Sequence, residues 1–346
     1  MDRSYALYAA EKTVELVGID SPTGYTKKAV EYVKESFGAL GYKAELTVKG
    51  GVIIDLGGKE SEEGALLLES HVDTLGAMVA EVKGNGRLRL TPLGGMRSEN
   101  GEAENVKIYT RDGKVYDGTL QLCDPSVHVN RAYGDIKRSF DTTEVVIDED
   151  VKSAADAKAL GIDVGDIVAF DPRARITESG YIKSRFLDDK LSVGIILALA
   201  KYMKDNEKTP ERHTYLHVTV YEEVGHGGSA SVPEGVTEII SVDMGCVGNG
   251  IQCTEREVSI CAKDSGGPYS YDTVTALVNA AKKEGAAYAI DVYPSYGSDV
   301  EATLRAGVDV KHGCIGAGVF ASHGYERSHV DGVYNTLKLL KGYLNV

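Results

Sequence analysis

Apolar positions near the start of the chain repeat at helical spacing. Residues 5–18 and 26–40 place apolar side chains every three or four positions, and a turn sequence from Asp20 to Gly24 separates the two runs. Short runs of strand-favouring residues follow at 43–48, 51–56 and 65–70. Helices that alternate with strands predict an α/β layer around a mixed or parallel sheet.

The pattern changes after about Gly76. From Ala77 to Arg175, short β-like runs are broken by glycine, as in MVAEVKG and RLRLTPLGG, and one helix-like piece covers 153–160. About 100 residues of this kind are too many for the loops of one compact domain. We therefore predict a small inserted β-barrel domain over 77–175, within a discontinuous α/β domain formed by 1–76 and 176–346. The alternative is a decorated loop region of a single domain.

The α/β pattern returns at about Tyr181. A mostly apolar helix is predicted over 187–204, and the other predicted helices cover 271–284, 298–306 and 333–344. Strands are predicted at 213–221 and 239–242. The fold class predicted from the whole pattern is therefore α/β, with a mixed sheet and an inserted β-barrel.

Charge, cysteine content and the N-terminal sequence indicate which partners and which cellular compartment to expect. The formal net charge is −14, which argues against nucleic acid or an anionic membrane, because both require a basic face. The five cysteines are odd in number and form no C-x-x-C pair, so reduced thiols are expected. The N-terminus shows no signal-peptide pattern, and the apolar stretch at 193–200 is too short to span a bilayer. These features predict a soluble cytoplasmic protein.

His71 and Asp73 follow the apolar run at 65–68. They are two residues apart, so an extended backbone directs both side chains to one face. A carboxylate beside a ligating imidazole fixes the tautomer of that imidazole. His71 is therefore a candidate metal ligand and Asp73 a candidate orienting group. Taken alone, the motif is also compatible with a structural histidine.

Asp188 stands where the apolar helix at 187–204 begins. A helix N-cap explains it as well as any other role when the segment is taken alone. Because the helix is apolar on nearly all sides, we expect it to be buried and Asp188 to lie at an interior crevice. A carboxylate in that position is able to bridge two cations.

Two adjacent glutamates, Glu222 and Glu223, end the strand-favouring run at 213–221. Two like charges at a buried strand end are costly unless cations compensate them. Glycines at 225, 227 and 228 permit an irregular backbone on which the two carboxylates diverge, one towards a metal and one towards a bound water. The alternative is a solvent-exposed acidic turn.

Two further apolar runs end at candidate ligands. EIISVDMG reaches Asp243, and GAGVFASHG reaches His323, with His329 as a rival six residues later. Open α/β sheets place their sites at the carboxyl ends of strands. Carboxylates mixed with imidazole suit zinc, cobalt or manganese. Together these strand ends predict a two-metal hydrolase site.

Essentially the whole chain resembles the M42 metallo-aminopeptidases, a co-catalytic group similar to the M20 and M28 exopeptidases. The specific part of the resemblance is the order of the candidate site residues along the chain, H-x-D, D-D, E-E, D and H. The SPTGYT start and the β-rich insertion resemble that family as well. The resemblance implies a zinc-exopeptidase-like catalytic metallopeptidase domain over 1–76 and 176–346. It also implies that 77–175 is the oligomerisation domain of a homo-oligomer, which in this family is often a hollow tetrahedral dodecamer.

The resemblance further implies a role for each site residue. It assigns Glu222 as the general base that activates a metal-bridging water, and Asp73 as the group that orients His71. The metal ligands that it implies are His71 and Asp243 on one ion, Glu223 and His323 on the other, and Asp188 on both. The chain departs from the commonest family pattern at Asp189-Lys190, at His226 and at Gly324 to Glu326. These departures remove no ligand but leave the side-chain preference of the pocket unpredicted.

The predicted function is an aminopeptidase that takes N-terminal residues from short peptides with two divalent metal ions per subunit, zinc foremost and cobalt or manganese as alternatives. The chain has no G-x-S-x-G nucleophile elbow. A metal-dependent deacylase of N-acyl amino acids is the main alternative, because the same metals attack either amide. A glycoside hydrolase would leave His71, Asp243 and His323 without a role, and a non-catalytic scaffold would not need the ligand set.

Overall fold

The protein is described over residues 1–346 by a computed structural model. The chain divides into two compact units. One unit comprises Met1–Asp73 and Arg173–Val346, and the other comprises Thr74–Pro172. The first carries a large mixed sheet with helices and the second a closed antiparallel barrel. The predicted fold class, α/β with a mixed sheet and an inserted barrel, is confirmed.

The regular elements are numbered in chain order. The helices are α1 (Ser4–Val17), α2 (Lys27–Ala39), α3 (Ser98–Gly101), α4 (Ala154–Leu160), α5 (Leu187–Asp205), α6 (Tyr271–Glu284), α7 (Asp299–Arg305) and α8 (Val330–Leu344). The strands are β1 (Lys43–Leu46), β2 (Val52–Gly57), β3 (Ala65–His71), β4 (Gly76–Val82), β5 (Leu88–Leu93), β6 (Asn105–Tyr109), β7 (Val115–Leu122), β8 (Thr143–Ile147), β9 (Ile167–Phe170), β10 (Arg175–Ile176), β11 (Tyr181–Ser184), β12 (Thr214–Thr219), β13 (Val236–Val242), β14 (Gly245–Val247), β15 (Val258–Lys263), β16 (Tyr288–Val292), β17 (Lys311–Phe320) and β18 (Glu326–His329).

The centre of the discontinuous unit is a parallel ladder within a twelve-stranded sheet. The main strand order is β1-β2-β12-β3-β13-β17-β18-β11-β10, and β14, β15 and β16 join it through β17. The four neighbours β12, β3, β13 and β17 run parallel to one another. Their buried, nearly continuous apolar runs are typical of a sheet covered on both faces. Parallel strands end at the same edge, so this ladder brings four chain segments together.

Helix α5 is buried along most of its length and packs against α1 and α8. The apolar pattern predicted this burial, because a helix without a polar face has no side to expose. Its one buried cation, Lys190, donates from Nζ to the carbonyl oxygens of Leu16 (3.1 Å) and Ile19 (2.7 Å). These contacts tie the start of α5 to the last turn of α1 and to the chain just after it.

The barrel unit is closed in the order β4-β5-β8-β7-β6-β9. Its interior is filled by apolar side chains that alternate along the strands, including Leu88, Leu90, Ile108, Leu120 and Phe170. Helix α4 begins at an N-cap in which Ser153 accepts from the amide of Asp156. No helix in either unit has both the length and the apolar character that a membrane span requires.

Candidate functional site

The four parallel strands of the ladder each lead to polar side chains. β3 ends at His71, β12 leads into the turn of Glu222 and Glu223, β13 is followed by Asp243, and β17 is followed by His323. Since the strands are neighbours in the order β12-β3-β13-β17, these residues meet at one edge of the sheet.

His71 is buried and held in a defined orientation. Its Nδ1 lies 2.9 Å from the backbone carbonyl oxygen of Asp73. A carbonyl oxygen only accepts, so the imidazole proton belongs on Nδ1. Nε2 is then free to face carboxylates, and it lies 3.2 Å from Oδ1 of Asp188 and 3.6 Å from Oε2 of Glu222. This is the tautomer that a metal-ligating Nε2 requires.

The carboxylate of Asp73 lies near His71 and also holds the turn of the two glutamates. It accepts from the amides of Glu222 (3.1 Å) and Glu223 (3.4 Å) and from the hydroxyl of Thr23 (2.7 Å). Its nearest oxygen is 3.5 Å from Nδ1 of His71, farther than its own backbone carbonyl. Asp73 thus contacts His71 through its main chain and, at 3.5 Å, through its carboxylate, and the same carboxylate fixes the turn that carries the two glutamates.

Asp188 does not act as a helix N-cap, because its carboxylate contacts two imidazoles and accepts from no helix amide. Its backbone has non-helical angles of φ −74° and ψ 104°, at a kink near the start of α5. This conformation directs Oδ1 towards His71 and Oδ2 towards Nε2 of His323, at 3.5 Å. The amides of Asp188 and His323 both donate to Glu326, at 3.1 and 3.0 Å. A buried carboxylate between two imidazoles has the arrangement expected of a bridging ligand.

The other predicted site residues lie in the same place. Oε2 of Glu223 is 3.6 Å from Nε2 of His323. Two groups of potential ligands each have donor atoms within 4.8 Å of one another: His71, Asp188 and Glu223, and His71, Asp189 and Asp243. The rival His329 lies elsewhere and caps α8, where its Nδ1 accepts from the amide of Asp331 and its Nε2 contacts the carbonyl of Ser179 at 2.8 Å. The structure thus brings all seven predicted residues together and leaves the rival out.

Asp189 is a site residue to which the sequence reasoning gave no role. Its Oδ2 accepts from the hydroxyl of Ser70 and from the amide of His71 (3.2 Å). Its Oδ1 is buried and has no hydrogen-bond partner. An unpaired buried carboxylate oxygen is costly unless a cation is near. The available signal was its position as the second residue of the Asp-Asp pair.

The site contains several buried carboxyl groups whose ionised forms are destabilised by burial and by one another. Burial, with repulsion from neighbouring carboxylates, raises the pKa of Glu222 and Glu223 well above the usual range and that of Asp243 to about 7. Burial also opposes ionisation of Asp188, but the two neighbouring imidazoles, those of His323 and His71, outweigh it and lower the pKa of Asp188. Buried carboxylates mixed with imidazoles form a donor set that suits hard or borderline divalent cations. The residues present therefore fit a metal centre.

A cavity of about 460 Å³ opens onto this cluster. Its lining includes the candidate ligands Asp188, Glu223, Asp243 and His323 and several residues of the segment 295–305. Arg305 of that segment forms an ion pair with Glu301 at 3.3 Å. A second cavity, of about 670 Å³, contains none of the candidate ligands and includes the Arg212–Glu238 ion pair in its lining. Of these two cavities, the one of about 460 Å³ therefore joins space for a ligand to the candidate ligands.

Comparison with known proteins agrees with this geometry. The model of the M42 glutamyl aminopeptidase family matches residues 50–339. The chain is 42% identical to the protein YhfE of Bacillus subtilis (strain 168) over 330 residues, which cover 95% of each chain. Among solved structures, an aminopeptidase from the archaeon Desulfurococcus kamchatkensis has a TM-score of 0.86 at 21% identity, covering 98% of this chain and 95% of its own. The TET1 peptidase of Pyrococcus horikoshii has a TM-score of 0.83 at 21% identity, covering 97% and 99%.

Proposed function

The chain belongs to the M42 glutamyl aminopeptidase family and is an aminopeptidase, and from that premise we propose that it removes single residues from the free N-terminus of short peptides with the help of two divalent cations. The observation that carries the proposal is the convergence of four parallel strand ends, which place imidazoles and carboxylates around one cavity. Ligands of open α/β sheets bind outside the carboxyl ends of the strands, which is where these side chains lie.

We assign His71 and Asp243 to one cation, Glu223 and His323 to the other, and Asp188 to both. The assignment is supported by the two oxygens of Asp188, each of which faces a different imidazole. Zinc is the cation of choice for this mixed donor set, with cobalt and manganese as alternatives. Two divalent cations, when bound, supply charge that polarises the scissile carbonyl and lowers the pKa of water.

Glu222 is the residue to which we assign proton transfer. Its amide is fixed by Asp73, and its side chain, 16% exposed, lines the cavity. Burial raises the pKa of this carboxyl group, so it is a stronger base than an exposed glutamate. It accepts a proton from the attacking water and returns it to the leaving amine.

Chelation and reconstitution test the metal assignment. Dialysis against a chelator is expected to abolish hydrolysis of aminoacyl anilides, and zinc, cobalt or manganese is expected to restore it. Titration of the apoprotein, followed by metal analysis, is expected to reach two equivalents per chain. A single equivalent at full activity would contradict the two-metal assignment.

We further propose that the barrel unit, Thr74–Pro172, mediates assembly into a homo-oligomer. Its loop between β7 and β8 exposes Val127 (62%) and Val129 (77%), and exposed apolar side chains of this kind are common at protein interfaces. The Pyrococcus horikoshii TET1 peptidase is described as assembling into a tetrahedron or a large octahedral shell. By analogy with that neighbour, we propose a closed oligomer, such as a dodecamer, for this chain.

A further inference from the structure

The turn that presents Glu222 and Glu223 is strained and must be held by its surroundings. Tyr221, which precedes the glutamates, has a φ of 119°, and Gly225, which follows them, has a φ of 82°. A positive φ is rare at a tyrosine and persists only where neighbouring contacts enforce it. Asp73 provides some of those contacts by accepting from the two glutamate amides. Its carboxylate accepts no hydrogen bond from Thr219 or Gly228, which lie on either side of the turn.

A second carboxylate, that of Asp299, joins Thr219 before the turn to Gly228 after it. Its Oδ2 accepts from the hydroxyl of Thr219, the last residue of β12. Its Oδ1 accepts from the amide of Gly228, just beyond the turn, at 2.6 Å. One buried side chain, 2% exposed, therefore bridges the segment 219–228 from its first residue to its last.

Helix α7 holds Gly228 from a second side. The hydroxyl of Thr303, one helical turn after Asp299, donates to the carbonyl oxygen of Gly228 at 2.7 Å. Gly227 and Gly228 allow this approach, because a Cβ on Gly227 would collide with Oδ1 of Asp299 and one on Gly228 would lie 2.7 Å from the Thr303 hydroxyl. Side chains of α7 thus form hydrogen bonds with both the backbone N–H and the backbone carbonyl of Gly228.

We propose that Asp299 is a positioning residue for the reaction: by joining Thr219 to Gly228 it sets the place of Glu222 and Glu223 in the cavity. This inference rests on the proposed function for the roles of the two glutamates. Asp299 itself does not need to contact the substrate. Displacing a reacting group by about 1 Å costs up to ~100-fold in rate, so loss of this bridge is expected to lower kcat more than it changes KM.

The alternative is that Asp299 contributes only to stability, and the chain contains a matched control for that reading. Asp291 is also buried, 3% exposed, and its carboxylate likewise accepts from one amide, that of Gln252 (2.8 Å), and one hydroxyl, that of Ser259 (2.6 Å). It lies on β16, away from the turn of the glutamates. Asp291→Ala therefore removes the same kinds of hydrogen bond without affecting the segment 219–228.

The test compares Asp299→Ala, Asp299→Asn and Asp291→Ala at saturating metal. Both alanine variants are expected to lower Tm. Asp299→Ala is expected to lower kcat by roughly 10–100-fold with KM within about threefold of wild type, while Asp291→Ala keeps kcat within about threefold. Asp299→Asn, which keeps an acceptor for Gly228, is expected to recover part of kcat. In the metal-free proteins, hydrogen exchange of the peptide that covers 219–228 is expected to increase only in the Asp299 variants.

Equal kcat values for the two alanine variants, or unchanged exchange of 219–228 in Asp299→Ala, would overturn the proposal. If Asp299→Ala does not fold, Thr219→Val removes one hydroxyl from the bridge and Ser259→Ala is its control, and the same exchange and kcat comparison decides. If the wild-type protein does not cleave peptides, the proposed function fails, whereas the exchange measurement still decides whether Asp299 holds the turn.

Discussion

At the residue scale, Glu222 and Glu223 are adjacent in the chain but face different partners. Oε2 of Glu222 lies 3.6 Å from Nε2 of His71, and Oε2 of Glu223 lies 3.6 Å from Nε2 of His323. Their side chains are 16% and 4% exposed. The short turn between β12 and the following loop makes the two carboxylates diverge, so each is available for a separate task.

The first prediction separates those tasks. Glu222→Gln is expected to bind two metal equivalents while kcat falls by ~100-fold or more, because an amide cannot accept the proton of water. Glu223→Gln is expected to lose metal from one site, because an amide is a much weaker ligand than a carboxylate. Metal analysis and steady-state kinetics measure both effects. Two metals and full activity in both variants would show that the assignment is wrong.

The candidate ligands were predictable one by one, whereas their supporting groups were not. Each of four ligands follows an apolar strand-like run, and the end of such a run is visible in the sequence: His71, Glu223, Asp243 and His323. Glu326 supports the site by accepting from the amide of Asp188, 138 residues away in sequence. A contact across that separation depends on the folded sheet and leaves no local pattern.

At the element scale, periodicity located the long helices and central strands but missed short strands late in the chain. The helix predicted at 271–284 is α6, with the same bounds. Strands β15 and β16 were not predicted, because runs of six and five residues with interspersed polar positions carry little periodic signal. The non-helical angles at the start of α5 were likewise invisible, because they depend on the contacts of Asp188.

The second prediction concerns His217, a buried histidine in the interior of β12. It pairs in register with Glu69 of β3, and its Nδ1 lies 3.5 Å from Oε1 of Glu69. Burial lowers the pKa of His217 from 6.5 to about 4. The unfolded chain therefore binds a proton at this residue below pH ~6.5, whereas the folded chain does not until pH ~4. Stability contributed by the neutral imidazole is fully present above pH ~6.5 and is lost as the pH falls towards 4.

His217→Gln is expected to remove that pH dependence. Between pH 7 and pH 5 the wild-type protein is expected to lose about 2 kcal/mol more of its unfolding free energy than the variant does. Urea unfolding at the two pH values measures the difference, and the titration of the site carboxylates cancels because both proteins share it. His128→Gln, at an exposed position, is the control and is expected to follow the wild type. Parallel losses in wild type and His217→Gln would refute the assignment.

At the scale of the whole molecule, the fold class was predictable because two different patterns occupy separate parts of the chain. Helical and strand periodicities alternate in the flanking parts, and glycine-broken β runs fill the middle. The structure divides the chain at Asp73/Thr74 and Pro172/Arg173. Composition carries no information about the partner of the barrel unit, so its role in assembly remains a proposal.

The third prediction tests that proposal. A variant with residues 74–172 replaced by a short Gly/Ser linker is expected to remain folded by circular dichroism and to form a smaller species than the wild type. Solution scattering at matched concentrations gives the mass of each. A wild-type protein that is already monomeric, or an excised variant with the oligomer number of the wild type, would exclude the barrel as the assembly module.

The most direct test of the central claim compares one short peptide with its N-acetylated form. Carboxylates around the cavity, including Asp188 and Glu223, favour the positive charge of a free amine. Losing one charge-assisted contact of about 1.5–3 kcal/mol corresponds to ~10–150-fold in kcat/KM.

In this measurement the products of both peptides are followed by mass over time. The free peptide is expected to release its first residue and then the next, with kcat/KM at least ~10-fold above that of the acetylated form. Equal cleavage of the two, internal cuts, or preference for the acetylated peptide would contradict the account and favour an endopeptidase or a deacylase.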